Sequence, residues 1–169
     1  EIQKGCGTAP SRYGPRALPN EGNGKMSVAA LLSKKPSDSI ITVSAATSIR
    51  EASELLAQHR IGAVVVTEDQ DRVVGILSER DIVRGLAARG ASVMTQRVAE
   101  LMTAPVETCT PSEAADDVMR RMSEGRFRHM PVTEGVKLVG VISIGDVVKN
   151  RITTLEQEAS ALREYITTG

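Results

Sequence analysis

The chain has 169 residues, with 21 Lys and Arg against 21 Asp and Glu, so its formal net charge is zero. This balance gives no electrostatic reason to expect a nucleic acid or an anionic membrane as the main partner. One Phe, two Tyr and no Trp leave almost nothing on which bases could stack in a row, so the core must be aliphatic.

The two cysteines stand in different contexts. Cys6 lies in a Gly-rich N-terminal segment, whereas Cys109 lies in the alternating run "VETCT", where we expect a small core residue. This usage fits a reduced intracellular protein without disulfides. No run approaches the roughly 18 apolar residues that span a membrane, and no signal-peptide stretch opens the chain. We therefore expect a cytoplasmic protein.

Residues 1–25 carry five Gly and three Pro with no hydrophobic period, which predicts a disordered or extended segment. Met26 then opens a short helical pattern, "MSVAALLSKK", which Pro36 stops. From there the chain repeats itself: "VAALL" (28–32) matches "VAELM" (98–102), and each is followed by an extended run, "IITVS" or "VETCT".

Each extended run leads into an amphipathic helix and then into two strands around a polar turn, "AVVVTEDQDRVVGILS" (63–78) and "HMPVTEGVKLVGVIS" (129–143). A last helix follows in each half. We predict an α/β (α+β) fold of two tandem β-α-β-β-α repeats, residues 26–92 and 93–150, because two such copies would bury each other's sheet faces.

The C-terminal segment, 151–169, is predicted to form an amphipathic helix of its own. Its apolar residues follow spacings of 3, 4, 3 and 4, a narrow stripe of coiled-coil type: Ile152, Leu155, Ala159, Leu162 and Ile166. Packing on the same domain and use in dimerisation both remain open.

Two endings in register carry a family resemblance: "GILSERD" (75–81) and "GVISIGD" (140–146). With the paired lead-ins and the corners "HRIGAVVV" and "RFRHMPV", they make residues 28–150 resemble a pair of CBS domains, the regulatory module named for cystathionine β-synthase. The resemblance implies a free-standing pair with pseudo-two-fold symmetry and a ligand cleft on each side.

In that family Ser-x-x-Asp is the nucleotide-binding signature. Asp146 would sit at a helix start, where it can accept hydrogen bonds from both ribose hydroxyls, while Ser143 can bind a phosphate or ribose oxygen. Gly145 lets a ligand approach the backbone. Asp81 and Ser78 hold the same positions in the first half. The structural alternative is that each Ser-x-x-Asp is simply a helix N-cap.

The resemblance implies that each aspartate's ligand is cradled partly by the other repeat. We expect the main site at Asp146, with Arg128 binding a phosphate bidentately, His129 adding a donor and Arg80 reaching a phosphate in either site. The first repeat would supply apolar walls and exposed backbone for adenine, from Ile41, Ile61, Gly62 and Ala63.

The second site, at Asp81 and Ser78, is expected to be weaker because its own corner has Gly62 and Ala63 where the other has Arg128 and His129. Its cradle would come from the second repeat: Pro105, Glu107, Phe127 and Arg128.

The expected function is a non-catalytic sensor of an AMP-like nucleotide, with ADP, ATP, NAD(H) and S-adenosylmethionine left open. The alternative is a ligand-independent scaffold that forms a homodimer and docks an unidentified regulated protein. Catalysis has no support: His59 and His129 are the only histidines, and no nucleophile, phosphate-loop or metal-ligand motif occurs. No catalytic cofactor or metal is expected.

Overall fold

The computed structural model describes residues 26–35, 40–69 and 72–167. The prediction of disorder for residues 1–25 lies outside this part of the chain. The described elements confirm the mixed α/β class and the tandem repeat.

The first half contains two strands of a hairpin, one short strand and three helices. In chain order these are α1 (Val28–Leu32), β1 (Thr42–Val43), α2 (Ile49–His59), β2 (Ala63–Glu68), β3 (Arg72–Ser78) and α3 (Glu79–Arg89). Two 3-10 turns, Gly90–Thr95 and Val98–Glu100, lead to the second half, which contains α4 (Ala115–Gly125), β4 (His129–Glu134), β5 (Lys137–Ser143) and α5 (Ile144–Thr167).

The five strands form one sheet in the order β1-β2-β3-β5-β4. β1 is parallel to β2, each hairpin is antiparallel, and among the described residues β3 meets β5 only at Arg72 and Lys137. The duplication extends to the pairing register, because Ala63 pairs with Ser78 as His129 pairs with Ser143. Each hairpin therefore delivers its serine to a helix start in the same way.

The extended run predicted at "VETCT" pairs with the sheet at Cys109, which forms a bridge parallel to Val132. The Cys109 N–H donates to the Pro131 carbonyl at 3.0 Å, and the Thr133 N–H donates to the Cys109 carbonyl at 2.8 Å. The ladder extends no further because Pro111 and Pro131 have no N–H to donate. The second repeat thus reduces its first strand to a single bridge.

The lead-in segment of each repeat packs in the core of the other. Val28 is fully buried with Met130 and Ile142, and its N–H donates to the Glu113 carbonyl at 2.9 Å. Val98 is fully buried in the core of the first repeat, and its N–H donates to Thr47 at 2.8 Å. Neither repeat closes its core without a segment from its neighbour.

Gly75 within β3 and Gly140 within β5 make room for these lead-ins. A Cβ at Gly140 would lie 2.7 Å from a methyl of Leu32, and one at Gly75 would lie 2.7 Å from the sulfur of Met102. Both distances are too short for a real contact. The paired glycines of the sequence repeat therefore mark where the exchanged segments cross the sheet.

α5 is a continuous helix, so the boundary predicted at residue 150 falls inside it. Part of the predicted stripe is open: Ile152 is 50% exposed, Leu155 47% and Ile166 73%. The side chain of Leu162 lies outside the described set. Within the described residues, no helix is long and apolar enough to cross a membrane.

Replacing Val28 with Ala should lower the free energy of unfolding by about 2 kcal/mol, since it removes two buried methyl groups and leaves a cavity. Hydrogen exchange should rise first at Met130 and Ile142, in the other repeat. Denaturant unfolding and exchange mass spectrometry measure both effects. Val136→Ala, at a site 71% exposed, is the control; exchange rising only around β1 to α3 would contradict the exchanged packing.

Candidate functional site

Both Ser-x-x-Asp elements form capping boxes. The Ser78 hydroxyl donates to Asp81 Oδ2 at 2.6 Å and its N–H does so at 2.9 Å. The corresponding distances from Ser143 to Asp146 Oδ2 are 2.8 and 2.7 Å. The N-cap alternative is therefore confirmed as a local role. It uses Oδ2 only, so Oδ1 of each carboxylate stays outside the cap.

One cleft, of about 720 Å³, opens beside Asp81, and we call it the Asp81 cleft. The first repeat contributes the end of β3 and the start of α3, and the second contributes its strand entry and the corner before β4. All six residues predicted for the second site line this cleft: Asp81, Ser78, Pro105, Glu107, Phe127 and Arg128.

Four arginines also line the Asp81 cleft: Arg80, Arg84, Arg126 and Arg128. Arg80 donates to the carbonyl of Arg126 at 3.0 Å and thereby joins the two repeats. Arg126 ends α4 in the left-handed region, with φ of 58°. Sequence reasoning missed Arg84 and Arg126; the signal for Arg84 is its place one helical turn after Arg80 on α3.

The strand entry of the second repeat is held by Arg121. Its guanidinium lies 3.2 Å from Oε2 of Glu107 and 2.8 Å from Glu113. Arg121 thus holds the side chain of Glu107, which lines the cleft together with Phe127. Sequence reasoning missed this supporting role of Arg121.

A second cleft, of about 1070 Å³, lies on the other side of the pair, and we call it the Asp146 cleft. Its lining combines aliphatic residues with polar ones such as His59 and Arg60. It includes six residues predicted for the main site: Ile41, Ile61, Gly62, Ala63, His129 and Ser143. Asp146 is not itself among the lining residues, but it bonds to Ser143, which is.

Lys35 also lines the Asp146 cleft, and sequence reasoning missed it. Its ammonium lies 2.7 Å from Asp146 Oδ2 and donates to the Val141 carbonyl at 2.9 Å. Burial acts to raise the pKa of the Asp146 carboxyl, but the hydrogen bonds from Lys35 and Ser143 outweigh it and leave the pKa lowered. The Asp146 carboxylate is therefore already paired with a cation, the Lys35 ammonium.

Three residues predicted for the main site line the Asp81 cleft and not the Asp146 cleft: Arg128, Arg80 and Gly145. Arg128 is also expected in the cradle of the Asp81 site, and Arg80 is expected to reach a phosphate in either site. His129, which follows Arg128 in the chain, lines both clefts.

Gly62, His129 and Ser143 line both clefts and form their shared wall. A Cβ at Gly62 would lie 3.1 Å from Cε1 of His129, so the imidazole packs directly against that glycine. Burial lowers the pKa of His129, and the neighbouring Arg128 lowers it further, against opposing effects of Asp146 and Glu79. The shared wall therefore carries a neutral imidazole near neutral pH.

The fold and its clefts define a tandem α/β pair with a ligand-sized cleft on each side. The CBS domain model matches residues 28–88 and 98–152, and the chain belongs to the CBS-domain family. It is 32% identical over 123 residues to the CBS domain-containing protein YhcV of Bacillus subtilis, covering 73% of this chain and 86% of YhcV.

A second relative is the mitochondrial CBS domain-containing protein CBSX3 of Arabidopsis thaliana, 32% identical over 126 residues. That match covers 72% of this chain but 61% of CBSX3, which is less than two thirds of its length. Among solved structures, a CBS-domain-containing protein of Agrobacterium tumefaciens superposes with a TM-score of 0.71 at 46% identity, covering 75% of this chain and 99% of that one.

Two further structural neighbours were solved with adenosyl ligands. One is the CBS domain pair of protein MJ0100 in complex with 5′-methylthioadenosine and S-adenosyl-L-methionine, with a TM-score of 0.68, 27% identity and coverage of 77% and 98%. The other is CBSX2 in complex with AMP, with a TM-score of 0.63, 26% identity and coverage of 76% and 97%. CBS pairs are regulatory modules, and some of those similar to this chain bind AMP or S-adenosylmethionine.

The lowered pKa of His129 predicts a specific loss of stability on acidification. Below about pH 6.5 the unfolded chain protonates this histidine, whereas the folded chain resists it, so the free energy of unfolding falls as pH decreases. His129→Gln should flatten the slope of stability against pH between about 6.5 and 5. Denaturant unfolding across that range measures it, and an unchanged slope would contradict the burial of a neutral imidazole here.

Proposed function

We propose that this chain is a non-catalytic regulatory module that binds an adenine nucleotide, AMP-like in size and charge, with the Asp81 cleft as its stronger site. One observation carries the proposal. A capping carboxylate, four guanidinium groups and the side chain of Phe127 line a single cleft between two CBS repeats.

The parts of the Asp81 cleft match the parts of a nucleotide. Oδ1 of Asp81 can accept hydrogen bonds from ribose hydroxyls, since the cap uses only Oδ2. Arg84 and Arg128 offer planar forks for a phosphate. Phe127 offers a flat apolar face for the base, and Glu107 can accept a hydrogen bond from the exocyclic amine of adenine.

Two differences favour the Asp81 cleft over the Asp146 cleft, which reverses the expected ranking. Arg128, the predicted phosphate ligand, lines the Asp81 cleft. Lys35 lies 2.7 Å from Asp146 Oδ2 and offsets the charge of that carboxylate, whereas no ion pair joins Asp81 to any of the described residues. The aliphatic lining of the Asp146 cleft supports a second, weaker adenosyl site.

A ligand in the Asp81 cleft would contact both repeats and therefore act as a regulator of their junction. Ser78 and Asp81 come from the first repeat, whereas Pro105 and Phe127 come from the second. At a hundredfold excess over its dissociation constant, such a ligand stabilises the folded pair by about 2.7 kcal/mol.

The test compares Asp81→Ala with Asp146→Ala. Both variants remove the same capping contacts, at about 1 kcal/mol each, and Asp146→Ala also removes the ion pair with Lys35. Calorimetric titration with AMP should show affinity about ten- to hundredfold weaker in Asp81→Ala for the stronger site, since charge-assisted bonds to ribose are lost. Asp146→Ala should leave that affinity within about twofold of wild type. Equal losses, or no AMP binding by the wild-type chain, would contradict the assignment.

A scaffold function has one observation in its favour, the open apolar stripe on α5. Homodimerisation through this helix and the CBS pairs, with docking of a regulated protein, is the second candidate. Ile152→Glu should convert a dimer to a monomer in sedimentation velocity, because it places a charge within the buried stripe of a helix pair. Val136→Glu, also at an exposed apolar site, is the control. A wild-type monomer at all concentrations would contradict this candidate.

A further inference from the structure

Two consecutive lysines tie the lead-in of the first repeat to α5. Lys34 donates to Oδ1 of Asn150 at 2.9 Å, and Lys35 pairs with Asp146 at 2.7 Å, one helical turn earlier on α5. The two contacts differ in kind, because the first meets a neutral amide and the second meets the carboxylate expected to hold a ribose. Only the second bears on ligand recognition.

The other repeat offers no equivalent of Lys35. Val98 to Met102 match Val28 to Leu32, which aligns Pro105 with Lys35. Proline carries no charge, and no ion pair joins Asp81 to any of the described residues. The two clefts thus differ by one cation placed directly on the capping carboxylate.

We propose that Lys35 is a specificity-determining residue of the Asp146 cleft, which disfavours uncharged nucleosides and favours phosphorylated ones. The inference rests on the proposed function, since it concerns which adenosyl ligands the second cleft accepts.

The charge of Lys35 beside one carboxylate is the basis of this selectivity. Asp146 Oδ2 already accepts hydrogen bonds from the Ser143 N–H and hydroxyl and from Lys35. All of these bonds fall on Oδ2, so ribose hydroxyls would bind Oδ1 of a carboxylate whose charge Lys35 already offsets. An uncharged ribose therefore meets a weaker acceptor than a free carboxylate would be, whereas a ligand that brings an anion gains the Lys35 ammonium as a partner.

A nucleoside phosphate supplies that anion, and lysine is suited to following it. Its ammonium is a compact charge on a flexible four-carbon stem, with no fixed fork to satisfy. The Lys35 side chain is 37% exposed, so it has room to move within the cleft. An uncharged nucleoside carries no anion that the ammonium could bind.

The experiment is a titration of the intact chain with adenosine and with AMP, followed by isoleucine methyl NMR. The methyl groups of Ile41 and Ile61 report on the Asp146 cleft, and that of Ile76 reports on the Asp81 cleft. Lys35→Met removes the charge and keeps most of the stem. Lys34→Met is the matched control, because it removes the neighbouring charge that contacts Asn150.

In Lys35→Met the Ile41 and Ile61 signals should show adenosine binding about two- to fivefold tighter and AMP binding weaker, so that preference for AMP over adenosine falls about tenfold. The preference reported by Ile76 should stay unchanged, as should both preferences in Lys34→Met. An unaltered preference at Ile41 and Ile61 in Lys35→Met overturns the role of Lys35.

The remaining outcomes separate this inference from the proposed function. Shifts at Ile76 alone, in the wild type and in Lys35→Met, overturn the inference and leave the Asp81 site standing. No shift at any of these methyl groups, with either compound, overturns the inference and the proposed nucleotide binding together.

Discussion

The exchange of lead-in segments is the constraint on which the rest of this structure depends. Val28 completes the core of the second repeat and Val98 completes that of the first, so each hairpin is closed by a segment from its neighbour. The repeats are thereby held face to face, and the ends of β3 and β5 come to lie at their junction. Each cleft takes a capping aspartate from one repeat and a strand entry and corner from the other because of this exchange.

A single local motif begins both helices, and in the proposed function it also binds the ligand. The Ser-x-x-Asp capping boxes start α3 and α5 with one carboxylate oxygen, and the second oxygen stays outside the cap. The motif occurs once in each repeat, and the residues around it differ between the two copies. Four arginines surround the Asp81 copy, whereas Lys35 pairs with the Asp146 copy. We infer that this inequality gives one pair of repeats two ligand preferences.

Much of the fold could be predicted because its signals are local and occur twice. The matched lead-ins, hairpins and Ser-x-x-Asp endings predict the tandem repeat. Both capping boxes form as their sequence predicts. The run at "VETCT" pairs only at Cys109, because Pro111 and Pro131 have no N–H with which to extend the ladder. Lys35 was missed because its partner lies 111 residues away, on α5. Arg128 lines one cleft and His129 lines both, a difference that depends on how the two repeats pack together and that no local pattern reveals.

The most direct measurement is the crystal structure of this chain grown with AMP. We predict density for the nucleotide in the Asp81 cleft, with ribose hydroxyls on Oδ1 of Asp81, the base against Phe127 and the phosphate among the guanidinium groups of Arg84 and Arg128. Full occupancy in the Asp146 cleft with an empty Asp81 cleft would contradict the ranking of the two sites. Crystals free of AMP in both clefts, at concentrations near millimolar, would contradict nucleotide binding itself.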